Sequence, residues 1–296
     1  MIISQQNLDL VFKGFKTVYG ESFDATKSYK DTIAMTVSSV ASEEEYGWLG
    51  QFPELREWVG DRQVKSLSAH GFSIRNKKFE STVKVKRDDI SDDKVGLYKP
   101  LFQDMGRVTK IHPDKLIYAL LSAGFETTCF DGQNFFDGDH PHALSEMETV
   151  SVSNMQTGTA SPWFLLDLSK AMKPVIWQER ELYEFQSLTN HNDTSVFMTD
   201  DYVYGIRARV NCGFGLWQLA FGSKAELTAA NYAAARQAMS EFAGDRGQKL
   251  GITPTHLVVP SNLETAARTL LMADQIAGSS NIWKGTAELI ITPWLN

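Results

Sequence analysis

Residues 48–90 read WLGQFPELREWVGDRQVKSLSAHGFSIRNKKFESTVKVKRDDI. Trp48, Phe52 and Trp58 cluster around Pro53 at its start. Two polar strands are predicted beyond them, about Arg62–Ile74 and Phe79–Lys86, joined by a tight turn at Asn76 and Lys77. In the second strand Val83 and Val85 face one way, and Lys84 and Lys86 the other. One thin apolar face per strand is little to build a core from, and an isolated hairpin is marginal in water. Two readings stay open on pattern alone. The hairpin is an ordinary surface feature, or it is an arm that packs on another copy of the chain. In the second case Trp48, Phe52 and Trp58 are the anchors, and Lys65, Lys77 and Lys84 lie along the contact.

Outward from this stretch the elements are mixed helix and strand, without regular βαβ alternation, which indicates the α+β class. Residues 1 to about 40 read as an arm with a short helix. Leu8, Val11, Phe12 and Phe15 recur at helical spacing, and Gly14 and Gly20 weaken it. Tyr29–Ala41 looks extended. Ser91, Asp92 and Asp93 offer N-caps for a helix over about 92–123, carrying Leu97, Leu101, Met105 and Val108. Pro113 predicts a kink or break in it, and Gly124 its end. Residues 125–160 are rich in loop formers. Strands are expected in SPWFLLDLS, KPVIWQER, SVFMTDD and YGIRARVNCGFGLWQLAFG, between residues 161 and 222. Ser223–Glu226 forms a possible capping box, with Thr228 as a second start, for an alanine-rich helix ended near Gly244. The strand THLVVP, a second capping box at Ser261–Glu264 with its helix, and a last strand in GTAELIITPWL follow. A division near Gly222 is expected.

The chain has 296 residues, 43% hydrophobic and 22% charged, enough to bury a sizeable core. Its formal charge is −7. Such a balance repels a phosphate backbone and argues against a nucleic-acid-gripping protein. No apolar run approaches the roughly 20 residues of a membrane helix, and the N-terminus lacks a secretion-signal pattern. Cys129 and Cys212 stand apart, outside any CxxC spacing, and are expected to be buried thiols.

The residues that could carry chemistry are few. Asp137, Asp139, His140 and His142 lie within six residues and could hold a divalent metal for a hydrolase. Pro141 between the histidines keeps them off one helical face, so a turn with hydrogen-bonding side chains is the plainer reading. Glu43–Glu45, Asp88–Asp89 and Asp92–Asp93 read as solvated carboxylates or helix starts, not as acid–base pairs. GxSxG, GxxxxGK[ST] and GxGxxG are absent. Lys65, Lys77 and Lys78 could serve inter-subunit cross-linking, but solubility and edge protection explain them more simply. No catalytic residue, metal or cofactor is expected.

Several segments in order resemble the major head subunit of Mu-like bacteriophages. They are Asn76–Glu80, Val85–Ile90 with Asp92 and Asp93, and Asp131-Gly132 with Phe135–Asp137 and His140. They continue with Ser195–Met198, Tyr204–Arg209, Trp217–Gly222, Trp283–Glu288 and Thr292–Trp294. The resemblance covers nearly the whole chain. It implies the tailed-phage major capsid fold of the Hong Kong 97 type. Laid on this sequence, that fold gives an N-terminal arm (1–45), an extended hairpin loop (46–91) and a peripheral domain with a spine helix (92–220). An axial domain (221–285) and a C-terminal strand (286–296) complete it. It implies a non-enzymatic subunit that assembles with itself into pentamers and hexamers of a virion head. Scaffolding protein, portal and a decoration protein are the implied partners, and double-stranded DNA is enclosed without specific binding. A cellular nanocompartment shell of the same fold is the alternative. The arm-like sequence begins near residue 1, which favours scaffolding as a separate protein.

Overall fold

A computed structural model describes residues 2–50, 71–143, 149–190, 192–244, 248–276 and 278–295. Phe52, Trp58 and Lys65 lie outside these residues, as does most of the expected strand Arg62–Ile74.

Helix α1 spans Gln5–Ala25. Ser4 caps it by accepting the Asn7 N–H at 3.3 Å. Leu8, Val11, Phe15 and Tyr19 fall three or four apart and form its buried stripe. It is longer than the expected short helix, and Gly14 and Gly20 do not interrupt it. The short helix α2 (Lys30–Ile33) and strand β1 (Ala34–Ser38) follow, so the extended reading of 29–41 holds only for its middle. Then come β2 (Glu43–Glu45), β3 (Ser73–Arg75), β4 (Lys77–Lys86) and the short helix α3 (Arg87–Ser91).

Helix α4 runs over Lys99–Ala123. It starts later than predicted, because Asp92 closes α3 and Asp93 takes a left-handed φ of 61° that no helix start uses. Pro113 does not break it. The turns on either side are held by different cores: Phe102 and Met105 pack in a smaller cluster with α1, and Ile117, Tyr118 and Leu121 in a larger one. Tertiary packing thus offsets the hydrogen bond that Pro113 forgoes. Asp114, on α4, accepts from Ser28 Oγ at 2.7 Å and from the Tyr29 N–H, tying the start of α2 to this helix.

Strands β5 (His140–Ala143), β6 (Thr149–Val152), β7 (Met155–Gln156) and β8 (Trp163–Leu166) precede the long β9 (Val175–Leu188). Residues 195–199, expected in a strand, lie instead in helix α5 (Thr194–Thr199), which links β9 to β10 (Asp201–Phe214). Asp193 and Asp200 flank this turn as caps, and Val196 alone points into the core. The chain ends with β11 (Ala220–Ser223), α6 (Ala229–Glu241), β12 (His256–Pro260), α7 (Glu264–Met272), β13 (Gln275–Ile276), β14 (Ser279–Ser280) and β15 (Glu288–Thr292). Thr228 caps α6 through the Asn231 N–H, while Ser223 belongs to β11 and bonds the Ala225 N–H in a local turn. The second expected capping box also fails, because Ser261–Leu263 form a 3₁₀ turn and no side chain caps α7.

Two main sheets result. The first has order β1-β9-β10-β4. In β10, Tyr202, Tyr204, Ile206, Ala208 and Val210 point inward, while Arg207 is exposed and Arg209 half-buried, as the alternation predicts. Helices α1 and α4 cover this inner face. Phe15 stacks on Phe102 at 4.0 Å, and both meet Tyr204 edge-on. The second sheet has order β15-β12-β8-β11-β7. Its central strands are continuous apolar runs buried on both faces. β8 pairs with both β11 and β12, so this sheet joins residues on both sides of the expected division near Gly222.

A Cβ added to Gly106 of α4 would lie 2.3 Å from the Tyr19 carbonyl oxygen, so the two helices touch backbone to backbone there. Gly14 has nothing within 4 Å. Gly106→Ala should cost about 1–3 kcal/mol in urea unfolding through overpacking. Gly14→Ala should stabilise by about 0.5–1 kcal/mol.

His112 of α4 sits against Phe79 and Tyr183, with Nδ1 2.6 Å from the Tyr183 hydroxyl. Burial, then the Lys115 charge, holds its pKa below the ordinary 6.5. The folded chain therefore binds fewer protons here than the unfolded chain, and stability rises with pH. This contribution is fully present above about pH 6.5 and is lost as pH falls below it. His256 is shifted the same way by burial, which outweighs the Glu288 carboxylate. Urea midpoints should drop between about pH 8 and pH 5.5, and drop less in His112→Gln.

Candidate self-assembly surface

Residues 46–50 and 72–76 flank the stretch 51–70, and both flanks pack on the core. Tyr46 and Leu49 are buried. Gly50 has φ of 85°, and a Cβ there would lie 2.7 Å from the Phe130 ring, so only glycine fits. Trp48 is half-buried, edge-on to Tyr46, and packs on the larger core. β2 and β3 pair antiparallel, Glu44 opposite Ile74, and the Tyr46 N–H donates to the Phe72 carbonyl at 2.9 Å. Ile74 lies flat over Gly213 of β10, where a Cβ would lie 2.4 Å from it.

A polar network, buried at Gln178, Tyr46 and Ser39 and half-buried at Asn76 and Glu44, locks these flanks. Gln178 of β9 accepts from the Tyr46 hydroxyl at 2.8 Å. Its amide donates to the Ile74 carbonyl at 3.0 Å and to Asn76 Oδ1 at 2.8 Å. Asn76 Nδ2 donates in turn to Ser39 Oγ and the Ala41 carbonyl. Glu44 accepts from Ser39 Oγ and the N–H groups of Val40 and Ala41. The Ala41 and Val40 bonds, then Ser39, hold its carboxyl below the usual range. Burial, then Glu44, pushes Tyr46 up to about 12, so its hydroxyl stays a donor.

This geometry corrects the expected hairpin. Asn76 is not its turn, because β3 and β4 do not pair with each other. β3 pairs with β2, and β4 pairs with β10 from Lys77↔Val210 to Lys86↔Asp201. The motif NKK was read as turn chemistry, whereas the Asn76 amide serves three partners across two sheets. Val85 is buried and Lys84 exposed, as the alternation predicts. β4 is the last strand of its sheet, so its outer edge is unpaired among the described residues. Lys77, Lys78, Lys84 and Lys86 are exposed along it, the usual guard of an open edge. Lys84 lies 3.9 Å from Asp201. Beyond the strands, α5 holds Phe197 and Met198 outward, 80% and 73% exposed, on a turn fixed by buried Val196. Sequence reasoning missed Gln178, a polar residue next to the apolar start Val175–Trp177 of β9, and α5.

The four residues considered for a metal-dependent hydrolase are not gathered into a site. Asp137 accepts the Asp139 N–H at 3.1 Å, and Asp139 bonds Ser151. His140 is fully buried at the start of β5, with Nδ1 2.7 Å from Asp131 and Nε2 3.2 Å from Asn154. Its ring stacks on Trp217 at 4.0 Å. His142, two residues along β5 and on the same face, lines a cavity of about 240 Å³ beside Trp217 and Phe242. The expected turn is present at Asp137–Asp139, where the Asp137 carboxylate accepts the Asp139 N–H, and His140–His142 beyond it are strand. Cys129, read as an isolated thiol, lies beside Asp131.

A family profile described as Mu-like prophage major head subunit gpT matches residues 8–295. The chain belongs to this family. It is 40% identical to the major capsid protein of Escherichia phage Mu over the whole of both chains. It is also 40% identical to the Mu-like prophage FluMu major head subunit of Haemophilus influenzae, over 96% of each. Among solved structures it matches a chain of the bacteriophage JBD30 procapsid with a TM-score of 0.89 and 40% identity, covering 99% of this chain and 100% of the other. The JBD30 capsid chain matches with a TM-score of 0.78 and 34% identity over 92% of each. The fold is therefore the tailed-phage major capsid fold that the resemblance implied, and the protein is a structural subunit of a phage head shell, a component of the virion. Among the described residues no helix is long and apolar enough to cross a membrane.

In this head subunit Gln178→Leu keeps bulk but strands the Tyr46 hydroxyl and the Ile74 carbonyl in the core. Chemical denaturation should show a loss of about 1–3 kcal/mol. Cysteine-directed labels placed at residues 51–70 should report a more mobile segment than in the unsubstituted subunit.

Proposed function

We propose that copies of this chain close into pentamers and hexamers of an icosahedral head that encloses double-stranded DNA, and that the segment rooted at Tyr46–Gly50 and Phe72–Asn76 reaches a neighbouring copy. The observation that carries this reading is the root itself. Buried Gln178, half-buried Asn76 and Ile74 against Gly213 hold the two flanks of residues 51–70 together. Each inter-subunit contact can be weak, because every copy touches several others and later contacts are effectively intramolecular. Phe52 and Trp58 are the aromatic anchors of this segment, and Lys65 lies beyond them; Trp48 seats its base, and Lys77 and Lys84 line the adjoining edge strand.

The first sheet with α1 and α4 serves as the peripheral domain, with α4 as its spine. The second sheet with α6 and α7 serves as the axial domain. The protein catalyses no reaction. A charge of −7 per copy suits a container that must not adhere to its DNA. Scaffolding and portal proteins join it during assembly. A decoration protein is a further partner, in keeping with the minor capsid protein trimers on the related JBD30 capsid.

The test is a deletion confined to 51–70, bridged by a short Gly/Ser linker, which the Tyr46–Phe72 hydrogen bond shows to be closable. A deletion extending to Lys86 would remove β4 and its pairing with β10. The shorter deletion should leave a folded monomer by circular dichroism and no closed shells by electron microscopy after co-expression with scaffold. Normal shells from the deleted chain would show that assembly does not depend on this segment.

A further inference from the structure

The buried loop before β5 holds a group of side chains that the shell function does not use. Cys129, Asp131 and His140 place one ligand atom each within 4.8 Å of one another. The loop is tightly made: the Cys129 N–H donates to the Gln133 carbonyl at 2.7 Å, and Gly132 turns with φ of 89°. Asp131 Oδ1 accepts from Cys129 Sγ and from the Gln133 N–H, both at 3.1 Å. Asp131 Oδ2 faces His140 Nδ1.

The protons at His140 follow from its surroundings. Asn154 Nδ2 donates to the Phe135 carbonyl at 2.8 Å, and Asn154 Oδ1 accepts the Asp137 N–H at 2.9 Å. Those two bonds settle which end of the amide is oxygen. His140 Nε2 faces that oxygen and must carry a proton. In a neutral ring Nδ1 would then be bare, and its lone pair would meet a carboxylate oxygen at 2.7 Å. A contact so short is a hydrogen bond with a proton between the two atoms, and a metal ion bound by both would displace that proton and hold them farther apart.

We propose that Cys129, Asp131 and His140 form a buried site for one Zn²⁺ ion, which ties the loop at 129–131 to the start of β5. Sγ, an Asp131 oxygen and Nδ1 supply three ligands of the types zinc takes, and the second Asp131 oxygen is the donor nearest to the remaining position. Asn154 is the outer partner that holds the ring by its other N–H. Trp217, stacked within 10° of the His140 plane, fixes the ring orientation. Charge also balances. Thiol, carboxylate and imidazolium sum to zero, and so do thiolate, carboxylate, neutral imidazole and Zn²⁺. Replacing two protons by one dication therefore adds no net buried charge. Burial pushes the Cys129 thiol up, so a thiolate there needs a cation beside it.

The experiment uses the full-length subunit, incubated with ZnCl₂ and then gel-filtered. Elemental analysis should find about one zinc per chain. Co²⁺ in its place should give a thiolate-to-metal charge-transfer absorption band. Cys129→Ser should abolish that band, while Cys212→Ser, on β10, keeps it. Asn154→Ala should weaken zinc binding roughly 10–100-fold. Far less than one zinc per chain in the unsubstituted protein, or a band that survives Cys129→Ser, overturns the proposal and leaves an imidazolium–carboxylate pair. If Cys129→Ser does not fold, alkylation of the unsubstituted chain decides. Zinc should shield Cys129 and not Cys212, and equal labelling with and without zinc refutes the site.

Discussion

The rest of the molecule depends on α4 being buried in two different places. Its first half is clamped by α1 and the first sheet through Phe102 and Met105, and its second half by the larger core through Ile117, Tyr118 and Leu121. A helix held at both ends keeps the two sheets in one fixed relation. It also tolerates a proline between the clamps, because neither half relies on the missing hydrogen bond. The backbone contact of Gly106 with Tyr19 belongs to the same clamp. A subunit that must meet many identical neighbours at constant angles gains more from this rigidity than from additional core area.

A second constraint is polar. The flanks of residues 51–70 are fixed by Gln178, Asn76, Tyr46 and Glu44, not by apolar packing alone. Apolar contacts are non-directional and allow small slips. A fully satisfied buried network permits one arrangement, since any shift strands a buried donor or acceptor. The two flanks of residues 51–70 are therefore held in one arrangement.

The perturbed titrations fit a structural protein. Burial is the leading cause for Tyr118, Tyr183, Tyr204 and Cys212, the last pushed up to about 12. These groups sit inside cores and between sheet and helix. In a catalytic cleft, opposed environments would drive neighbouring groups apart. Here one environment, desolvation, acts on all of them.

What could be read from the sequence follows period and composition. The stripe of α1, the alternation of β10 and β4, the apolar run of β12 and the Thr228 cap are local signals, and each appears where the residues placed it. The α+β class and the family resemblance were equally legible. What failed was of another kind. Pro113 reads as a break, residues 195–199 as a strand, Asn76 as a hairpin turn and Ser223 as a cap, because each is judged by its neighbours in the chain. Their roles are set instead by residues far away in sequence: two cores around α4, the link between β9 and β10, the Gln178 amide and the β8–β11 pairing. Cys129, Asp131 and His140 likewise meet only when the loop folds against Trp217. Local propensity is worth tenths of a kcal/mol to about 1 kcal/mol per residue, whereas burying an unpaired polar group or opening a cavity costs several times that. The sequence by itself determined where helix and strand character lies; only the tertiary structure decided which strands pair and which polar side chains meet, because those choices are made by the larger energies of burial.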